Sequence, residues 1–126
     1  MDDDYSKLPG LEHIYLEDSY VLEIEEGTDS LKVTLEAVLT ETHPEYSTPK
    51  AGEQYCYRDA VLEFTSITEC KWDKKDLGKV TTDSDGTQDH GNIDTLGILP
   101  NGYYVEGDFG TAIIITTASP KLTLKT

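Results

Sequence analysis

Four aspartates lie close together in one polar segment of the chain, where they could bind a hard cation. They are Asp83, Asp85, Asp89 and Asp94, and Gly86 lies among them. Closely spaced carboxylates around a glycine are the kind of ligand set that calcium requires. If Gly86 takes the sixth position of an EF-hand loop, the first three aspartates fall at positions 3, 5 and 9. Calcium is therefore the one cofactor that the sequence suggests.

The rest of this loop departs from the EF-hand pattern. Thr81 stands where the first aspartate belongs, Asn92 replaces the bidentate glutamate, and the flanking segments lack helical periodicity. Asp-Gly is also a common turn pair, because both residues tolerate the backbone angles of tight turns. The sequence favours a solvated turn without a cofactor, and a weaker calcium site outside the EF-hand pattern is the alternative.

His90 lies between carboxylates in residues 89–94, an arrangement that can orient an imidazole as a general base. No nucleophile or oxyanion donor lies beside it in the sequence, and His13 and His43 are isolated. The chain carries no HExxH motif, no glycine-rich phosphate loop and no GxSxG nucleophile elbow. We therefore predict that the protein is not an enzyme.

Five aromatic side chains could form an exposed binding surface, because Tyr and Trp give a large, rigid contact area at low entropic cost. They are Tyr55, Tyr57, Trp72, Tyr103 and Tyr104. Neighbouring side chains of a strand point to opposite faces, so one of Tyr103 and Tyr104 is expected to lie inside. Ordinary packing within a β-sheet is the alternative for this set.

The chain is strongly acidic, since 25 Asp and Glu residues against 10 Lys and Arg residues give a formal net charge of −15. Such a charge repels nucleic acid and anionic membranes, and it attracts cationic surfaces. A basic protein is therefore the expected class of partner. The predicted partner-binding residues are acidic or aromatic and lie on exposed faces of strands: Glu23, Glu25, Glu36, Tyr104 and Glu106. Solubility alone is the alternative reason for such a charge.

Strands must position these residues, because alternation of apolar and polar side chains is the dominant pattern. Tyr20, Leu22 and Ile24 are predicted to share one face of a strand, with the glutamates between them on the other. Turn residues at 27–30 then lead into a second alternating run at 31–39. These two runs predict a β-hairpin.

The later strands follow the same logic. The run 55–72 has strand composition, but it would extend to roughly 60 Å as a single strand, so a bulge or turn is predicted near Ser66. Residues 112–117 are apolar on both faces, which is typical of a central strand. Seven or eight strands predict an all-β antiparallel β-sandwich or open barrel. We expect residues 1–10 to form an acidic flexible arm and residues 11–126 to form one β domain.

The N-terminal residues place three acids where a secretory signal needs basic residues and an apolar run, which predicts a cytoplasmic protein. Cys56 and Cys70 lack the spacing of a metal site. Buried, reduced thiols are expected for both, and a disulfide is the alternative.

Short segments spread over the chain carry a resemblance to known families. They are EDSYVL at 17–22, HP at 43–44, YCYR at 55–58, GNID at 91–94 and GDFG at 107–110. In these segments the chain resembles small bacterial β-sandwich families, several of which are immunity proteins of polymorphic toxin systems. The resemblance implies an immunity-type inhibitor that covers a basic toxin, and it transfers no site residues. A β-sandwich module that binds carbohydrate or calcium is the alternative function.

Overall fold

The computed structural model describes residues 5–8, 10–73, 81–82, 88–89 and 91–125, and only the backbone of residues 81–82 and 88–89. Eight strands form two antiparallel sheets of four, and two short strands form a separate ribbon. In chain order the strands are β1 (Ile14–Glu26), β2 (Leu31–Leu39), β3 (Cys56–Phe64), β4 (Glu69–Asp73), β5 (Thr81–Thr82), β6 (Gln88–Asp89), β7 (Ile93–Leu99), β8 (Gly102–Gly107), β9 (Gly110–Ile115) and β10 (Lys121–Leu124). The all-β prediction is confirmed, and the two sheets make a sandwich-like fold.

The first sheet has the strand order β1-β2-β3-β10, and the second has the order β4-β9-β8-β7. The predicted hairpin is confirmed as β1 and β2, with residues 27–30 between them. The chain crosses to the second sheet after β3, and Ser66, at a φ of 52°, lies in the crossing. The turn predicted near Ser66 is therefore confirmed.

The core lies between the facing sides of the two sheets. Leu62 and Phe64 of the first sheet are fully buried, and so is Ile114 of the second. The rings of Phe64 and Tyr103 lie 5.9 Å apart and join the sheets directly. β9 lies between β4 and β8, so the predicted central strand is also confirmed. Full burial of each large apolar side chain contributes about 1.5–3 kcal/mol.

The predicted phase of β1 holds for Glu23, Ile24 and Glu25 but is wrong at Tyr20, because the strand contains bulges. The register with β2 shifts between Tyr15 and Tyr20 and again between Val21 and Glu23. Val21 is fully buried, although alternation from Tyr20, Leu22 and Ile24 placed it on the outer side. The first shift inserts three residues into β1 and the second inserts one, and an odd number of inserted residues reverses the faces of the residues after it. As a result Tyr20 lies on the outer face of the first sheet, opposite Glu36.

The described part of the predicted N-terminal arm packs on the domain. Tyr5–Lys7 form one turn of 3-10 helix, and Leu8 belongs to the buried core. The Tyr5 hydroxyl donates to Glu17 Oε2 at 2.7 Å and accepts from the Leu16 amide at 3.1 Å. Residues 1–4 lie outside the described residues.

Two further features concern sequence predictions. Cys56 is buried as expected, Cys70 is only partly buried, and the two do not form a disulfide. No helix within the described ranges is long and apolar enough to cross a membrane.

Candidate protein-interaction surface

The predicted calcium ligands fall only partly within the described residues. Asp83, Asp85 and His90 lie outside them, and Asp89 is described only as backbone in β6. Asp94 is exposed near the start of β7. Within the described ranges, no group of three His, Cys, Asp or Glu side chains could hold a metal ion. Calcium binding by this loop stays a prediction.

Asp94 lies among other acids at the edge of the second sheet. Partial burial raises the pKa of Asp94, and the charges of Asp108 and Glu106 raise it further. Both neighbours disfavour ionisation of Asp94, because like charges repel. This edge of the sandwich is therefore strongly negative.

The predicted partner-binding residues lie on two opposite faces of the sandwich. Glu23, Glu25 and Glu36 are on the outer face of the first sheet. Tyr104 and Glu106 are on the outer face of the second sheet, where the Tyr104 hydroxyl donates to Glu106 Oε2 at 2.9 Å. That hydrogen bond raises the pKa of Tyr104. The five residues therefore do not form one surface.

The predicted aromatic set is also divided. Tyr103 is buried against Phe64, as one member of the adjacent pair was expected to be. Trp72 packs edge-on against Phe109 with the ring centroids 6.3 Å apart, and its indole N–H donates to Glu26 Oε1 at 2.6 Å. Only Tyr55 and Tyr57 of this set lie at the first sheet.

Charges on the outer face of the first sheet are unevenly distributed. At the end of the β1–β2 hairpin, Glu25, Lys32, Glu63 and Lys121 lie side by side across the four strands. Opposite charges on neighbouring strands stabilise a sheet. Glu25 therefore belongs to a row in which acids and lysines alternate.

Farther along the same face, two acids adjoin. Glu36 of β2 lies opposite Asp59 of β3 and opposite Tyr20 of β1. Lys125 follows β10, and its amide donates to the Asp59 carbonyl at 2.8 Å. Asp59 therefore lies between Glu36 of β2 and the Lys125 backbone.

Four tyrosines lie next to one another at this part of the sheet, and we call Tyr15, Tyr20, Tyr55 and Tyr57 the tyrosine face. The ring of Tyr57 lies 6.1 Å from that of Tyr20 and 6.1 Å from that of Tyr55. Tyr15 and Tyr57 flank Val38 from the two neighbouring strands. Tyr15 is 46% exposed, and among the described residues it is the one exposed large hydrophobic side chain.

Two of these tyrosines, Tyr55 and Tyr57, have a raised pKa. The charge of Asp18, which also accepts a hydrogen bond from Tyr55, raises the pKa of that hydroxyl. Burial raises the pKa of Tyr57 to about 12, and Tyr20 and Glu36 add to the effect. At neutral pH the surface therefore consists of neutral rings and hydroxyls beside acidic side chains.

A groove of about 180 Å³ lies at one end of the tyrosine face. Tyr15, Tyr46 and Tyr55 line it together with the buried residues Val38 and Leu39. Cys56 also lines the groove, and its Sγ accepts a hydrogen bond from the Ser47 amide at 3.5 Å. Exposed Glu41 lies at the groove as well. We call this site the Tyr15 groove.

Comparisons with protein-family models, with curated proteins and with solved structures give no match to this chain. The resemblance to immunity families therefore stays a prediction, and the surface must be interpreted from its own chemistry.

Sequence reasoning missed Tyr15, Tyr20, Tyr46 and Asp18. Tyr20 was placed in phase with Leu22, and the bulges in β1 break that phase. The spacing of Tyr55 and Tyr57 was a usable signal, because residues two apart in a strand share a face. The loop that brings Tyr46 to the sheet carries no periodicity that could have placed it.

The tyrosine face has the chemistry of a cation-binding surface. The faces of aromatic rings attract ammonium and guanidinium groups, and carboxylates add direct charge attraction. Tyr also combines an apolar ring with a polar tip, which suits it to protein interfaces.

Proposed function

We propose that this chain is a non-enzymatic protein-interaction domain that binds a basic protein through the tyrosine face. One observation carries the proposal: Glu36 lies on an outer sheet face between Asp59 and Tyr20. Two adjoining carboxylates beside aromatic rings attract a cationic side chain, both by direct charge attraction and by cation–π contact. The most concrete form of the proposal is an immunity-type inhibitor that covers a basic toxin.

The net charge supports the same partner class. A charge of −15 accelerates encounter with a cationic protein through long-range attraction. The tyrosines would then supply rigid contact area once the two surfaces meet. Charge attraction therefore raises the association rate, and the tyrosine face determines which partner is bound.

The test compares two charge reversals that change the net charge equally. Glu36→Lys alters the tyrosine face, and Glu106→Lys alters the outer face of the second sheet. Each variant and the unchanged chain would be used to capture proteins from extracts of the source organism at low salt. The dissociation constant of each captured protein would then be measured by calorimetry.

We expect a captured protein of high pI whose affinity falls about tenfold or more with Glu36→Lys and changes little with Glu106→Lys. Circular dichroism of both variants would show that each is folded. Equal losses in both variants, or a captured protein of neutral or acidic pI, would contradict the proposal. Glycan binding by the unchanged chain in place of a basic protein would point to the carbohydrate alternative.

A further inference from the structure

The Tyr15 groove is built to hold one long side chain from a partner. Its volume of about 180 Å³ lies below the roughly 300–1,000 Å³ of small-molecule sites. Its lining includes the apolar residues Val38 and Leu39, which are each 2% exposed. Two acidic groups accompany them: Glu41 lines the groove, and Asp18 accepts a hydrogen bond from Tyr55, which also lines it.

Hydrogen bonds fix the loop that carries one wall of the groove. The Thr40 amide donates to the His13 carbonyl at 3.0 Å, and the Tyr46 amide donates to the His43 carbonyl at 3.0 Å. The Thr42 hydroxyl lies 2.7 Å from His13 Nδ1. A preformed groove binds with a smaller loss of entropy than a groove that must close.

We infer that this groove receives an arginine side chain of the basic protein partner. A lining that combines apolar side chains and aromatic rings with carboxylates matches a side chain with an aliphatic stem and a cationic head. Arginine fits better than lysine, because its planar guanidinium stacks on aromatic rings and pairs with carboxylates through two hydrogen bonds. This inference rests on the proposed function and adds to it a specific anchor, located away from Glu36.

The decisive experiment titrates the isotopically labelled full chain with small probes and records amide chemical shifts. The probes are Nα-acetyl-arginine amide, Nα-acetyl-lysine amide and Nα-acetyl-citrulline amide, which is an uncharged near-isostere of the arginine probe. We expect the arginine probe to shift the amides of Tyr15, Val38 and Tyr55 with a dissociation constant on the order of 1 mM. The lysine probe should bind more weakly, and citrulline should leave these amides unchanged.

Variants separate the groove from general charge attraction. Tyr15→Ala removes an exposed ring and should weaken the arginine probe about 2- to 30-fold. Tyr104→Ala removes a tyrosine that also lies beside a carboxylate, but on the other sheet, and should leave the affinity unchanged. Near-wild-type amide spectra would show that each variant is folded.

Several results would overturn the inference. These are equal shifts from arginine and citrulline, equal affinities for arginine and lysine, shifts spread over all acidic surfaces, and shifts that do not saturate. If a basic partner binds in a Glu36-dependent manner but the arginine probe does not shift the amides of the groove, the proposed function stands and this inference fails. If the groove binds arginine but no basic partner is captured, the proposed function fails by itself.

Discussion

Ser19 is the residue that allows β1 to bulge without leaving buried polar groups unsatisfied. Its side chain is fully buried, and its hydroxyl donates to the Tyr15 carbonyl at 2.8 Å while accepting from the Val38 amide at 2.9 Å. The hydroxyl thus replaces a bond that the shifted ladder does not make. The bulge that it supports brings Tyr20 to the outer face beside Tyr57.

Ser19→Ala should destabilise the fold by about 1–3 kcal/mol, because it leaves the buried Val38 amide and Tyr15 carbonyl without this partner. Urea unfolding followed by fluorescence measures the change. Ser47→Ala is the matched control, since Ser47 is exposed and its hydroxyl makes only a 3.8 Å contact with Cys56 Sγ. A loss of the same size in both variants would show that the Ser19 hydroxyl has no special role.

The tyrosine face should make the fold sensitive to alkali. The pKa of Tyr57 is about 12 in the folded protein against 10.0 for an unperturbed tyrosine, so the folded state keeps this proton to higher pH. The stabilisation is fully present below pH 10 and is lost as the pH rises toward 12. Unfolding measured between pH 9 and about 12 should show this decline.

Tyr57→Phe removes the ionisable group and should make the decline shallower. The absorbance titration of the folded variant should also lose one late-ionising tyrosine. If Tyr57→Phe has the same pH dependence as the unchanged chain, the environment assigned to Tyr57 is wrong.

At the scale of elements, the residues before β7 connect the two sheets through β1. The Val21 backbone amide donates to the Gly91 carbonyl at 2.7 Å, and the side-chain Nδ2 of Asn92 donates to the Ser19 carbonyl at 2.9 Å. Gly91 has a φ of 86°, and a Cβ there would lie 2.8 Å from Cβ of Asp108. Position 91 therefore requires glycine, both because its φ is positive and because a Cβ would clash with Asp108.

Gly91→Ala should cost more stability than Gly52→Ala, which makes the two variants a matched pair. Gly52 has nearly the same φ, 85°, but nothing lies within 4 Å of a Cβ at that position. Gly52→Ala should cost about 1–2 kcal/mol for its left-handed backbone alone. Gly91→Ala adds the clash with Asp108. Equal costs in thermal or urea unfolding would contradict the close packing at Gly91.

The same elements show what sequence patterns can predict. Alternation correctly assigned β2 and the opposite faces of Tyr103 and Tyr104 in β8, because each strand keeps one face toward the core without interruption. It failed in β1, where two bulges reverse the faces, because a bulge follows from tertiary hydrogen bonds such as those of Ser19. The tyrosine face was missed because the sequence pattern put Tyr20 on the wrong face of β1. The Tyr15 groove was missed because it needs a loop and three strands together.

For the whole molecule, the distribution of charge matters more than its total. Acids and lysines alternate at the hairpin end of the first sheet, whereas Glu36 and Asp59 adjoin beside the tyrosines. Asp94, Asp108 and Glu106 repel one another at the second sheet. If the acidic residues served solubility alone, the protein would not need tyrosines beside Glu36 and Asp59 on the outer face of the first sheet. The pattern thus favours a directed interaction, with the remaining acids supplying long-range attraction.

Salt should therefore change folding and binding in opposite directions. In the free protein, a net charge of −15 opposes the compact state, and added salt screens that repulsion within a Debye length of about 10 Å at 0.1 M. We expect the free energy of unfolding to rise with sodium chloride and equally with potassium chloride, because screening does not depend on the cation.

In the complex, the same screening weakens attraction to a basic partner, so the association rate should fall by at least about tenfold between low and high salt. Glu36→Lys should show a smaller salt effect on association than Glu106→Lys, because Glu36 lies at the proposed contact. Association that does not change with salt, in a protein whose stability rises with it, would mean that the charge serves the free protein and that the partner is not basic.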